Sequence, residues 1–144
     1  MDIADRNYHL KLQEMCDCYM DTDFPKQLQG MAGQGPSDMD ESAIKYLSLA
    51  IMHTVTVKAP KLILKRQDDE VTARIKDVED ITLPPPSAAQ FAKIVEIIRA
   101  ILHIDTDKGE MPLALGLRSG NFDLQVKTKR KGNKESLKIK FPAL

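Results

Sequence analysis

Hydrophobic and polar positions along this chain fall into two periods, and the changes of period mark its elements. Between residues 122 and 141 the apolar positions are Phe122, Leu124, Val126 and then Leu137, Ile139, Phe141, with Asp123, Gln125, Lys127, Lys138 and Lys140 between them. A period of two is that of a half-buried strand, and the polar, glycine-containing link joins the two segments as a β-hairpin with one buried face. Such a hairpin needs other elements to cover its apolar side. Over residues 3–20 the period is helical, with Leu12, Met15, Cys16, Tyr19 and Met20 three and four apart. Residues 30–36, GMAGQGP, have no period and read as a linker. The expected organisation is a helical arm at 1–30, a linker at 31–39 and a main domain at 40–144.

Within that domain Asp38 or Asp40 can cap a helix whose stripe is Ile44, Leu47, Ile51 and Val55. The helix ends before Pro60. Residues 61–65 (KLILK) and 71–75 read as strands, with Asp68 and Asp69 in the turn between them. The run Pro84, Pro85, Pro86 continues neither helix nor central strand. Ser87 with Gln90 forms a capping box, and Phe91, Ile94, Val95, Ile98, Ile101 and Leu102 mark the clearest amphipathic helix. Leu113, Leu115 and Leu117 alternate as a further strand, linked through Ser119, Gly120 and Asn121 to the hairpin. This is an α+β pattern: a small antiparallel or mixed sheet of about five strands, two helices on one face, and an N-terminal helix.

Composition sharpens this at one point only. The 144 residues carry 21 basic and 21 acidic side chains, so no overall charge dictates a partner. The local balance differs. Lys127, Lys129, Arg130, Lys131, Lys134, Lys138 and Lys140 stand near the C-terminal end against a single acid, Glu135. No apolar run approaches the roughly 18 residues of a membrane helix, and no basic-then-apolar leader opens the chain, so a cytoplasmic protein is expected. Cys16 and Cys18 are too few for a disulfide framework and are expected as thiols.

Candidate chemistry is thin. His9, Cys16 and Cys18 form an incomplete set for a closed zinc site, which wants four ligands. Residues 105–116 open like a calcium loop, but place Gly116 where a bidentate Glu belongs. His53 and His103 sit near helix ends, where an imidazolium suits the dipole. No Ser or Cys stands beside a base in a nucleophile motif. Neither an enzyme nor a cofactor or metal is expected.

The spacing of residues 41–141 resembles the domain that precedes the ATPase core in type II secretion and type IV pilus assembly ATPases. The resemblance rests on Ala59, Leu62, Leu64, Val71, Arg74 and Ile75, on Asp105 with Pro112, and on Asp123, Val126, Thr128 and Glu135. It implies a PAS-like fold and a role as an interaction module near secretion or pilus machinery. Pro60-Lys61, Lys76-Asp77, Leu113-Ala114 and Gln125 replace the polar positions through which the family's domain meets nucleotide, and the chain carries no G-x-x-x-x-G-K-S/T loop.

The basic hairpin, Lys127, Lys129, Arg130, Lys131, Lys134, Lys138 and Lys140, is the candidate partner-binding site. Crowded lysines repel unless an anion neutralises them, and an acidic protein, a phosphorylated ligand or a nucleic acid can do so. A purely structural use is protection of a sheet edge. A protein partner is the leading expectation and nucleic acid the alternative. Phe122 and Phe141 point inward, which leaves no stacking platform for single strands. Exposed strand edges are compatible with a homodimer.

Overall fold

The helical and two-residue periods resolve into α1 (Asp2–Cys18), α2 (Met39–Thr56), β1 (Lys61–Gln67), β2 (Glu70–Lys76), β3 (Ile81–Leu83), α3 (Ala88–Leu102), β4 (Lys108–Leu117), β5 (Gly120–Lys131) and β6 (Lys134–Lys140). The computed structural model describes residues 2–18, 39–117 and 120–142; the linker positions 31–38, Ser119 and the side chains of Asp38 and Asp40 lie outside what is described. The six strands form one antiparallel sheet in the order β3-β2-β1-β6-β5-β4. The fold is α+β. Its sixth strand beyond the expected five is β3, three residues long and ended by Pro84, too short for a period to show.

One face of the sheet carries the alternating apolar set: Leu62 and Leu64, Ala73 and Ile75, Leu113 and Leu115, Leu124 and Val126, Leu137 and Ile139, all buried. Against it pack α2, through residues such as Ile44, Leu47 and Ile51, and α3, through Phe91, Ile94 and Ile98. Each such side chain contributes about 1.5–3 kcal/mol by leaving water. The capping box of α3 forms as its sequence dictates, with Ser87 Oγ accepting from Gln90 N and Gln90 Oε1 accepting from Ser87 N. Gln90 Nε2 also donates to Ser42 Oγ at 2.7 Å, which ties the starts of the two helices together. The Tyr46 hydroxyl donates to Pro84 O at 2.6 Å and anchors α2 to the proline run.

The first helix is seated in this same core, not held apart as an arm. Leu12 and Cys16 are fully buried in the cluster shared by α2 and α3. Two polar side chains of α1 also reach the outer edge of β4: His9 Nε2 donates to Ala114 O at 2.8 Å, and Gln13 Oε1 accepts from Gly116 N at 2.7 Å. Of its expected stripe, Tyr19 and Met20 lie outside the described residues.

At the far end of the sheet the β5–β6 hairpin turns through Gly132 and Asn133 between Lys131 and Lys134. Gly132 takes φ 58, the left-handed value this two-residue turn requires at its first position and glycine accepts without a Cβ clash.

Candidate functional site

All three helices leave the other face of the sheet open, and no described element covers it. The strand register decides what stands there, because directly paired residues share a face. One row across β2, β1, β6 and β5 is Lys76, Lys61, Lys140, Gln125. The next is Arg74, Ile63, Lys138, Lys127, reaching Glu110 on β4. A third is Thr72, Lys65, Ser136, Lys129, Lys108, and the last is Glu70, Gln67, Lys134, Lys131. Eleven of the chain's 21 basic residues therefore lie on this face. Asp123, Glu110 and Glu70 are the acids that the same register puts there.

Five of the direct pairs are lysine on lysine: Lys61↔Lys76, Lys61↔Lys140, Lys108↔Lys129, Lys127↔Lys138 and Lys131↔Lys134. Like charges so placed oppose folding by roughly 0.2–1 kcal/mol per pair. Asp80 relieves one border of the patch, with Oδ2 at 3.1 Å from Lys76 Nζ and 3.8 Å from Arg74 Nη1. The Lys76 hydrogen bond and the two positive charges hold its carboxyl below the usual carboxylate range. None of the other nine lysines forms an ion pair among the described residues. Lys138 stands in their midst on the central strand β6. Partial burial, followed by the charges of Lys65, Lys127, Lys61 and Lys129, pushes its ammonium below the ordinary lysine range.

Of the seven basic residues expected as a site, the structure brings six together: Lys127, Lys129, Lys131, Lys134, Lys138 and Lys140. Arg130 has the opposite parity and faces the helix side. There its Nη2 donates to Asp107 Oδ1 at 3.0 Å and its Nε to the same oxygen at 3.2 Å, pinning the approach to β4. Glu135, the one acid of the hairpin, also turns away, with Oε1 3.6 Å from Arg66 Nη2, so it does not neutralise the lysines. Lys61, Lys65, Arg74, Lys76 and Lys108 join the face from other strands, unforeseen. The signal for two of them was present in KLILK, where Lys61 and Lys65 share the parity opposite to Leu62 and Leu64. Ile63, on the same parity, is 7% exposed although no described element lies above it; its register partners are Arg74 and Lys138, whose long stems are of the kind that cover apolar surface.

Edge protection does not account for this arrangement. β1, β6 and β5 are interior strands, and of the eleven cations Lys108 alone lies on an edge strand. At the hairpin end of the face a depression of about 490 Å³ is lined by Lys65, Lys129, Lys131, Lys134, Ser136 and Lys138, with Gln67, Arg66 and Glu135 also contributing to its wall.

The candidate metal ligands do not converge. His9 is bonded to Ala114 O, whereas Cys16 is buried against Ser48 and Cys18 is exposed. Among the described residues no helix is long and apolar enough to cross a membrane.

No family model matches the chain, and no curated protein matches it. The functional reading stands on the geometry of the open face.

Proposed function

We propose that the chain is a non-enzymatic cytoplasmic module that binds the phosphate backbone of a nucleic-acid duplex on its open sheet face. The observation that carries this reading is the set of five lysine–lysine pairs, most of them on interior strands, which folding alone disfavours and a polyanion would neutralise.

Three features choose duplex over the other polyanions. The face is built from ten lysines and one arginine, whereas the buried centre of a protein interface is enriched in Arg, Tyr and Trp and depleted in Lys. Lysine is a point charge without a planar fork, suited to phosphate neutralisation and not to reading base edges. The register places no Phe or Tyr on this face, so bases have nothing to stack on. The scale also fits. Four rows at a two-residue rise span roughly 20 Å, and five strands a similar width. That length of duplex carries about 12 phosphates, against about six for one strand.

The test is fluorescence anisotropy of a labelled 20-base-pair duplex over a salt series. If about six phosphates are neutralised, the slope of log K against log salt is about −5, and each Lys→Gln change at Lys127, Lys138 or Lys140 flattens it by about one. Affinity should not depend on base sequence. Absence of duplex binding at 50 mM salt, or binding indifferent to salt, sinks the reading.

A second reading keeps the protein partner implied by the resemblance to pre-ATPase domains of secretion and pilus ATPases, with a PAS-like fold. What supports it is the pair of helices, α2 and α3, packed on one face of an antiparallel sheet, with the sheet left free on the other side. Binding to an acidic protein with a weak salt dependence would favour it over the duplex.

A further inference from the structure

The basic face is not uniform. At one place a hydroxyl, not an ammonium, occupies the middle of the lattice. Ser136 on β6 has Lys65 directly opposite on β1 and Lys129 directly opposite on β5, with Lys134 and Lys138 two residues to either side along its own strand. Strand neighbours lie about 4.8 Å away, and the next positions along the strand about 6.8 Å. Four ammonium groups on flexible stems thus ring one short donor, and all five residues line the depression of about 490 Å³, to which Lys131, Gln67, Arg66 and Glu135 also contribute; Glu135 is engaged by Arg66 at 3.6 Å.

We propose that the basin around Ser136 is a discrete phosphoryl-binding subsite, which seats one phosphate or a short oligophosphate between the four lysines with the serine hydroxyl donating to it. Serine is short enough to leave the volume that a lysine at 136 would fill, and its hydroxyl donates without adding charge. The ammonium groups supply charge-assisted donors, about twice as strong as neutral ones. None of the four lysines has an ion pair among the described residues to compete for an anion. Partial burial first, and then the neighbouring lysine charges, lower the proton affinity of Lys138, and an anion seated beside it would offset both. The other end of the face lacks this design. Around Lys61 and Lys140 the register places Lys76, Gln125, Ile63 and Lys138, and no hydroxyl among them.

This deepens the duplex reading and rests on it for one source of the phosphate, the nucleic-acid backbone; the other source is a free oligophosphate. The probe is sodium tripolyphosphate, titrated into the full chain at 150 mM salt by calorimetry and followed by amide NMR. Saturable one-to-one binding is expected, with shifts centred on Lys65, Lys129 and Ser136. Lys65→Gln and Lys129→Gln should each weaken it about tenfold and Ser136→Ala about fivefold. Lys61→Gln and Lys140→Gln lie about 13 Å away, beyond the screening length at that salt, and should change it less than about twofold while still weakening duplex binding. Unsaturable binding, or equal losses from all five variants, overturns the subsite, since diffuse charge then explains everything. Tripolyphosphate binding that survives where duplex binding is absent upholds the subsite, assigns it to free oligophosphate and sinks the duplex reading. Duplex binding unaffected by Ser136→Ala, with no tripolyphosphate bound, overturns the subsite alone.

Discussion

Cys16 and Cys18 stand two residues apart in α1, yet the fold gives them opposite chemistry. Cys18 is exposed, whereas Cys16 is buried in the core, and desolvation pushes its thiol up to about 12 from an ordinary value of 9.0. The neutral thiol is the form the core accepts. Because the folded value lies above the unfolded one, the native state holds the proton where the unfolded chain has lost it. The stability this confers is complete below pH 9 and is lost as pH rises toward 12, at about 1.4 kcal/mol per pH unit. Tyr46, whose hydroxyl burial likewise pushes up, adds a loss of the same sign beginning near pH 10. Lys138 acts the other way, since its depressed value returns stability as pH rises through it. Comparison with Cys16→Ala isolates the thiol: urea melts from pH 8 to 11 should show a steeper alkaline loss in the parent than in the variant, and parallel curves would refute the assignment. In the native state at pH 8 a thiol reagent should modify Cys18 and spare Cys16.

At the scale of elements, the sheet shows why α1 is placed where it is. β4 is an edge strand of ten residues, long enough to recruit another chain. Its outward-facing backbone groups belong to residues of even number, as the bonds of Ala114 O and Gly116 N to α1 show. Pro112 shares that parity and has no N–H to offer, so helix and proline together close the edge. At the opposite edge, β3 is closed by brevity and by the prolines that follow it. Gln13→Ala should therefore cost about 0.5–1.5 kcal/mol in a urea melt, and combined with Pro112→Thr it should produce concentration-dependent association in sedimentation velocity. A double variant that stays as monodisperse as the parent would show that these groups do not guard the edge. The hairpin, the capping box and both core helices were legible in the sequence because each is written in a local period or a fixed spacing. The short β3 and the seating of α1 were not, since three residues hold no period and an amphipathic stripe does not name what it covers. The site was half legible for the same reason. Parity within 122–141 put Lys127, Lys138 and Lys140 on one side, but that β1 lies beside β6, and so adds Lys61 and Lys65, is a fact of strand order that no local pattern encodes.

For the whole molecule, the balance of 21 basic and 21 acidic residues conceals a strong separation of charge. With eleven cations on one sheet face, the remaining surface must carry the excess of acid; Asp68, Asp69, Asp77, Glu79 and Glu96, all exposed, belong to it. A neutral protein with evenly mixed charge is retained weakly by either kind of ion exchanger. One with a segregated face binds a cation exchanger through that face alone, because the lysines lie within a screening length of each other and act together. The chain should therefore be retained on a sulfonate resin at pH 7 and low salt despite a formal net charge of zero. Lys127→Gln, Lys129→Gln and Lys138→Gln in one chain should abolish retention. The same change removes two of the opposed lysine pairs, Lys127↔Lys138 and Lys108↔Lys129, so it should also stabilise the fold by roughly 0.5–2 kcal/mol. Gain of stability together with loss of anion binding is the pattern of a surface held under strain for its function. A triple variant that elutes with the parent protein would show that the charge is not segregated in solution as the strand register dictates. One that loses retention and stability together would show that the lysines serve the fold, and the case for a polyanion on this face would fail.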